Sequence, residues 1–301
     1  MPVPPVKLSR NRQAFDSARR KWSSHPRVLV EGDSWFQYDA YIPANPTSSN
    51  LFLGACEYFT CIALLLSHIG DTVSQMLGPF VDFRGPQPVL KMEPKGEKNL
   101  RAIRGYLDRQ YPFDLLFFSG GGNDIVDNLA RLIRPYQPGM GADDALIAAQ
   151  VSAQMNAIRQ GYLRLLATRD AVSPGTWIVT HQYGIPNLTK GPFRRLGMNL
   201  TSEWIKPQFR RQGYLAAGGP PTPAELQLMT EIIRRLLLDF SAVLAEIQQA
   251  PGTRRFFVAP TSAVIRSEHW RDEMHLTRAG FRLAAGTIKP QLRELFPSWT
   301  A

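Results

Sequence analysis

Short apolar runs of strand character alternate along this chain with longer stretches of helical periodicity, and that alternation leaves few folds open to it. Arg27-Val28-Leu29-Val30-Glu31, residues 61–68, Asp114-Leu115-Leu116-Phe117-Phe118-Ser119, Thr176-Trp177-Ile178-Val179-Thr180 and Arg255-Phe256-Phe257-Val258 read as buried strands. Between and around them, helices are predicted over 10–23, from Asp71 onward, over 144–169, over 223–249 and from Thr277 to Leu295. Thr222-Pro223 supplies cap and first-turn residues for the fourth, and Thr277 an N-cap for the last. Strands alternating with helices predict an α/β sandwich around a parallel sheet. In such sheets, sites gather at the carboxyl ends of the strands.

The length of 301 residues and the 44% hydrophobic content supply a large core. No linker or repeat divides the sequence, so we expect one domain over 1–301. It would carry two irregular insertions, near 36–58 and 184–222, rich in Pro, Gly and polar residues. The net charge of +10 would suit nucleic acid, an anionic membrane surface or acidic substrates. The excess is spread in small Arg clusters without a nucleic-acid motif, so no nucleic-acid partner is expected. Cys56 and Cys61 form no disulfide framework or zinc knuckle. They read as two buried thiols, with a single local disulfide as the alternative if the protein is exported. The Pro-rich, then basic N-terminus lacks an apolar signal core, and no segment reaches membrane-spanning length. The default location is the cytoplasm, with signal-less export left open.

Four patches carry candidate chemistry, each at a strand end or loop. Ser34 follows the first strand in Gly32-Asp33-Ser34-Trp35, where a sharp turn would expose its hydroxyl to a base. The competing reading is a turn whose Asp33 and Ser34 cap the next helix. His275 is the best base, because Asp272 three residues earlier can meet its imidazole from the same tight turn. The competing reading is an acidic first turn of the last helix. Of the other histidines, His181 at a strand end stands out. Asn123 in Gly121-Gly122-Asn123-Asp124, with the Gly70 and Ser34 amides, could furnish oxyanion donors. Asn123 could instead be a helix cap. Asp33, Asp39, Asn123, His181 and His275 include metal-ligand types, but no tight ligand cluster appears, so neither metal nor other cofactor is expected.

Taken together, these patches resemble the four sequence blocks of the SGNH hydrolases, the GDSL family of esterases and lipases. Gly32-Asp33-Ser34 is similar to the nucleophile block, and Gly70 in His68-Ile69-Gly70-Asp71-Thr72 to the second-block glycine. Gly121-Gly122-Asn123-Asp124 matches Gly-x-Asn-Asp. Asp272-Glu273-Met274-His275, continued by Leu276-Thr277 and Gly280, matches Asp-x-x-His. Trp35 departs from the usual leucine, and the second block lacks its commoner neighbours. The resemblance implies a three-layer α/β/α sandwich with a mainly parallel five-stranded sheet of flavodoxin-like topology. It implies ester hydrolysis without metal, with Ser34, His275 and Asp272 as triad and Ser34, Gly70 and Asn123 as oxyanion hole. The substrate would be a small-molecule or lipid ester. Thioesterase and phospholipase activities are the alternatives within the family, and a non-catalytic lipid- or carbohydrate-binding protein is the alternative outside it. Trp35, Phe36, Tyr38, Tyr41, Leu51, Phe52 and Phe59 offer an apolar acyl pocket or lid, or else core packing.

Overall fold

The computed structural model describes residues 7–37, 50–108, 113–192, 203–215 and 219–301, with the backbone of 194–195 and 198–199. Its centre is a parallel sheet of six strands: β1 (Lys7–Ser9), β2 (Arg27–Gly32), β3 (Ile62–Leu65), β4 (Leu115–Ser119), β5 (Trp177–His181) and β6 (Phe256–Ala259). Their spatial order is β1-β3-β2-β4-β5-β6. Residues Val28 to Gly32 and all of β4 are buried. Strands covered on both faces read as continuous apolar runs, which is why these two were legible in the sequence.

Without β1, the order is the flavodoxin-like 2-1-3-4-5, and its direction reverses between β2 and β4. The register there sets Leu29 beside Leu116 and Gly32 beside Ser119. The crevice at this reversal receives the turns that follow both strands, and those turns hold Ser34 and Asn123. The sheet has six strands where five were expected. The extra strand, β1, pairs with β3 at the edge and has only three residues, none of them buried, so no periodicity marks it.

The helices are α1 (Arg12–Lys21), α2 (Ser34–Gln37), α3 (Leu51–Ala55), α4 (Val73–Leu77), α5 (Pro94–Leu107), α6 (Gly122–Leu132), α7 (Ala142–Ala145), α8 (Ala148–Val172), α9 (Ile205–Arg211), α10 (Pro223–Gln249), α11 (Arg278–Gly286) and α12 (Lys289–Leu295). They fall into two contacting groups. In one, α3 packs on α2 and α11; in the other, α8 packs on α4, α5, α6 and α10. The segment expected as one helix from Thr277 to Leu295 is two, because Pro290 lacks the N–H that would continue α11. The helix at Asp71 is also short. Thr72 caps α4 in a capping box with Gln75, and the helix stops at Gly78 with φ +110°. A hairpin of Pro79–Asp82 with Val89–Met92 and the helix α5 follow, neither of which the sequence pattern predicted.

Trp35, Phe36, Leu51, Phe52 and Phe59 are at most 3% exposed and belong to the main core cluster. They pack the interior, and Trp35 among them also lines the cavity beside Ser34; Tyr38, Tyr41 and Asp39 lie outside the described residues. Cys56 and Cys61 are free thiols, and burial pushes the Cys61 thiol up. No described helix is long and apolar enough to cross a membrane.

Candidate active site

Strand β2 passes so close to β4 at its end that a Cβ on Gly32 would lie 2.7 Å from that of Ser119. Glycine permits that approach. The Asp33 amide then donates to the Ser119 carbonyl at 3.1 Å. The chain turns at once into α2, with the Asp33 carboxyl accepting the Trp35 amide at 3.0 Å. This Asx turn leaves Ser34 as the first helical residue, on the wall of a cavity.

The base arrives on a turn built around Asp272, which is fully buried. Its Oδ1 accepts the amides of Met274 at 2.9 Å and His275 at 2.8 Å. The same carboxylate takes His275 Nδ1 at 2.9 and 3.1 Å. An Nδ1 proton held there makes Nε2 an acceptor, and Nε2 lies 2.9 Å from Ser34 Oγ. Serine, histidine and aspartate thus form one relay. Two indoles brace it. Trp35 Nε1 donates to the Met274 carbonyl at 3.3 Å, and the Trp204 ring meets the His275 ring edge-on at 5.3 Å.

Asn123 lies in the first turn of α6 and on the same cavity wall as Ser34. The N-cap of α6 is Gly121 at φ +117°, so Asn123 is not the cap. One amide proton of Asn123 goes to the Asp71 carbonyl at 3.0 Å, which fixes the amide plane and leaves the second proton. Beside it, the buried Asp124 accepts the Val73 amide at 2.7 Å, and burial pushes its carboxyl up to about 7. The third sequence block therefore ties down the second. Gly70 sits on an exposed turn at φ +83°, next to Asp71 but not on the cavity wall.

Sequence reasoning missed a second polar cluster directly behind Ser34. Ser119 Oγ lies 2.7 Å from Asp33 Oδ1, 2.8 Å from His181 Nε2 and 3.1 Å from the Tyr183 hydroxyl. Tyr183 also donates to Asp33 Oδ2, and His181 Nδ1 meets the Gln182 carbonyl at 2.9 Å. These short contacts, leaving aside the longer one from Ser119 to Tyr183, need one proton more than an ionised Asp33, a neutral His181 and the two hydroxyls supply. Burial raises Asp33 and pushes His181 down to about 4. Both directions place that proton on the carboxyl side. The Trp35 ring stacks on His181, with centroids 5.0 Å apart, and so joins this cluster to the nucleophile turn. The signal in the sequence was His181 at a strand end; Gln182 and Tyr183 follow it directly, but Ser119, Asp33 and Trp35 are far away along the chain.

The cavity beside Ser34 has about 460 Å³ of empty space, its mouth included. Its walls come from α6, α9, α10 and the loops of Gly184 and Trp270. The segment expected as an irregular insertion near 184–222 therefore contributes a wall. Glu273 fastens it: its Oε1 accepts the amides of Trp204 at 2.6 Å and Ile205 at 3.1 Å, at the start of α9. Burial raises the Glu273 carboxyl. Among the described residues, no three His, Cys, Asp or Glu side chains converge as a metal site.

No protein-family model matches the sequence, and no curated protein matches it. Several solved structures are similar in fold. A carbohydrate esterase of family 3 from Talaromyces cellulolyticus has 14% identity and a TM-score of 0.44, over 91% of this chain and 99% of that one. A family 3 carbohydrate esterase from Clostridium thermocellum has 12% identity and a TM-score of 0.46, over 92% and 99%. A member of the lipolytic G-D-S-L family from Veillonella parvula has 10% identity and a TM-score of 0.44, over 90% and 98%. At that level of similarity, function is read from the site's own geometry.

Proposed function

We propose that this chain is a serine hydrolase of the SGNH type that cleaves carboxylic esters through an acyl-enzyme on Ser34. The observation that carries this reading is the relay from Ser34 Oγ to His275 Nε2 and from His275 Nδ1 to Asp272, opening on a cavity. In the first step, Ser34 Oγ bonds to the acyl carbon as its proton passes to His275 Nε2. Asp272 orients the imidazole and stabilises the imidazolium. The oxyanion takes hydrogen bonds from the remaining Asn123 amide proton and from the Ser34 amide in the first turn of α2; Gly70, expected as a third donor, sits on an exposed turn off the cavity wall and is left out of this reading. The carbon–oxygen bond to the alcohol then breaks, and His275 returns the proton to the departing oxygen. Water repeats the sequence on the acyl-enzyme, with His275 again accepting and returning one proton. No step calls for a metal.

A fluorophosphonate carries the same serine chemistry to a stable adduct. Incubation followed by peptide mass spectrometry should find the label on Ser34, and the Ser34→Ala variant should take none. Label on another serine, or ester turnover surviving in Ser34→Ala, would reject the assignment.

A further inference from the structure

Glu31 stands on β2 just before the nucleophile turn, yet it lines a different cleft, which shares no wall residue with the cavity beside Ser34. The residue is only 5% exposed. Its Oε1 accepts the Gly32 amide at 3.0 Å. Among the described residues its second oxygen accepts no hydrogen bond, and Glu31 makes no ion pair. A buried carboxylate so short of donors is costly to ionise, and burial pushes Glu31 up to about 8, with the charge of Asp71 adding to the effect. At neutral pH a proton therefore occupies the place that a ligand's donor could take. The cleft runs between the turn after β3 and one face of α5. Leu65, Leu66 and His68 line it from the first, Asn99 and Ala102 from the second, and the exposed Arg10 from the segment before α1. Asn99 spends its amide nitrogen on the Gln75 carbonyl at 2.9 Å and keeps its oxygen as an acceptor. The lysine whose charge reaches Glu31, Lys95, is held by Asp71 at 2.7 Å. That pairing also denies a divalent metal its second carboxylate.

We propose that this cleft binds a small molecule through a primary ammonium group, with the ammonium on the second Glu31 oxygen and a short apolar chain against Leu65, Leu66 and Ala102. Binding exchanges one cation for another: an N–H···O bond forms to the carboxylate, and the carboxyl proton leaves to solvent. An ammonium suits the site better than a guanidinium. The planar fork of a guanidinium needs both carboxylate oxygens side by side, and the Gly32 amide already holds one of them. The ammonium can belong to a simple amine or to an amino acid, whose carboxylate would then meet Arg10 at the rim. The shared chemistry is the cation on Glu31. The titratable groups around that carboxyl are Asp71 and His68 from the turn after β3, Lys95 and Tyr106 from α5, and Arg10. The Asp71 charge raises Glu31 and the Lys95 charge lowers it, so these two partly offset each other.

The test is a titration of the full protein at pH 7 with n-butylammonium, norvaline, 1-butanol and butyrate, read by calorimetry and by the NMR shift of the Gly32 amide. At least one of the two ammonium compounds should saturate and move the Gly32 resonance. Its binding should release about one proton, read from the dependence of the heat on the buffer, because Glu31 is mostly protonated at that pH. His68→Asn should leave that proton count unchanged, which assigns it to Glu31. Butanol and butyrate lack the cation and should bind weaker by roughly tenfold or more. Glu31→Gln keeps an acceptor for the Gly32 amide and should weaken the cation by a similar factor of about ten. If that variant fails to fold, the four wild-type titrations and the proton count decide by themselves. Saturation by both ammonium compounds supports a site for simple amines, and saturation by norvaline alone supports one for amino acids. No saturable binding of either, equal binding of butanol or butyrate, binding without proton release, or a folded Glu31→Gln with unchanged affinity would overturn the site.

Discussion

Two clusters in this molecule use the same three residue types, a few ångströms apart along one nucleophile turn, and wire them differently. In the first, aspartate holds histidine and histidine holds serine: Asp272, His275, Ser34. In the second, aspartate and histidine both hold serine, as Asp33 and His181 do on Ser119, and the far nitrogen of the histidine faces a backbone carbonyl. Ser34 borders a cavity, whereas Ser119 is fully buried at the end of a central strand. A nucleophile needs a base that is itself oriented and an electrophile that can reach it. The second cluster has an oriented histidine but lacks the access, because Ser119 is fully buried. What it offers is a hydrogen-bonded floor that fixes Asp33, and through Asp33 the amide of Trp35 beside the nucleophile.

The sharpest way to break this distinction is to remove each serine hydroxyl in turn. Ser34→Ala should lower kcat by several orders of magnitude, with a residual rate from the oxyanion donors, and leave the thermal midpoint near wild type. Ser119→Ala should do the reverse. It strips a donor from buried partners, at about 1–3 kcal/mol of stability, and should change kcat far less. Steady-state kinetics and thermal unfolding on both variants decide the matter. Comparable kcat losses would mean that the two clusters act as one machine.

A smaller effect is expected at Asn123, where the first cluster meets the substrate oxygen. Asn123→Ala should reduce kcat by about a hundred- to a thousandfold, roughly 3 to 4 kcal/mol of barrier, with KM little changed. The donor acts only as negative charge develops. The variant also loses the bond to the Asp71 carbonyl, so a modest drop in midpoint should accompany the kinetic loss. A lowered midpoint with normal turnover would reduce Asn123 to a tie between the second and third sequence blocks.

The smallest expected effect is a pH dependence belonging to the second cluster alone. Burial holds His181 at about 4, below its ordinary value of 6.5. The unfolded chain therefore binds a proton between those limits that the folded chain does not. Stability from this residue is complete above about pH 6.5 and is lost as pH falls toward 4, at most about 3 kcal/mol. The unfolding midpoint of wild type should fall relative to that of His181→Gln as pH drops through that window, Gln keeping a neutral donor and acceptor in place of the ring. Asp33, raised by the same burial, acts in the opposite sense and is common to both proteins, so the difference curve isolates the histidine. Parallel midpoints across the window would show that His181 does not titrate as its burial demands.

The sequence determined by itself the features that are local along the chain. Strand runs such as Leu115-Leu116-Phe117-Phe118 are uniformly apolar because both their faces are covered, so the parallel sheet was legible from the sequence pattern. The aspartate and histidine of the base turn are three residues apart, and that spacing closes on itself through the Asp272 carboxylate. Contacts between distant segments were decided only by the tertiary structure. A three-residue edge strand at Lys7–Ser9 has no periodicity and exists because β3 offers it a free edge. Helix α9 becomes a cavity wall because Glu273, some 70 residues away along the chain, supplies a buried carboxylate to its first amides. Asp33 and His181 are separated by most of β2 to β5 in sequence, yet Ser119 bridges them where β2 and β4 run side by side. Hydrogen-bond partners of that kind are chosen by which strand ends the sheet order brings together, and no spacing along the chain encodes that order.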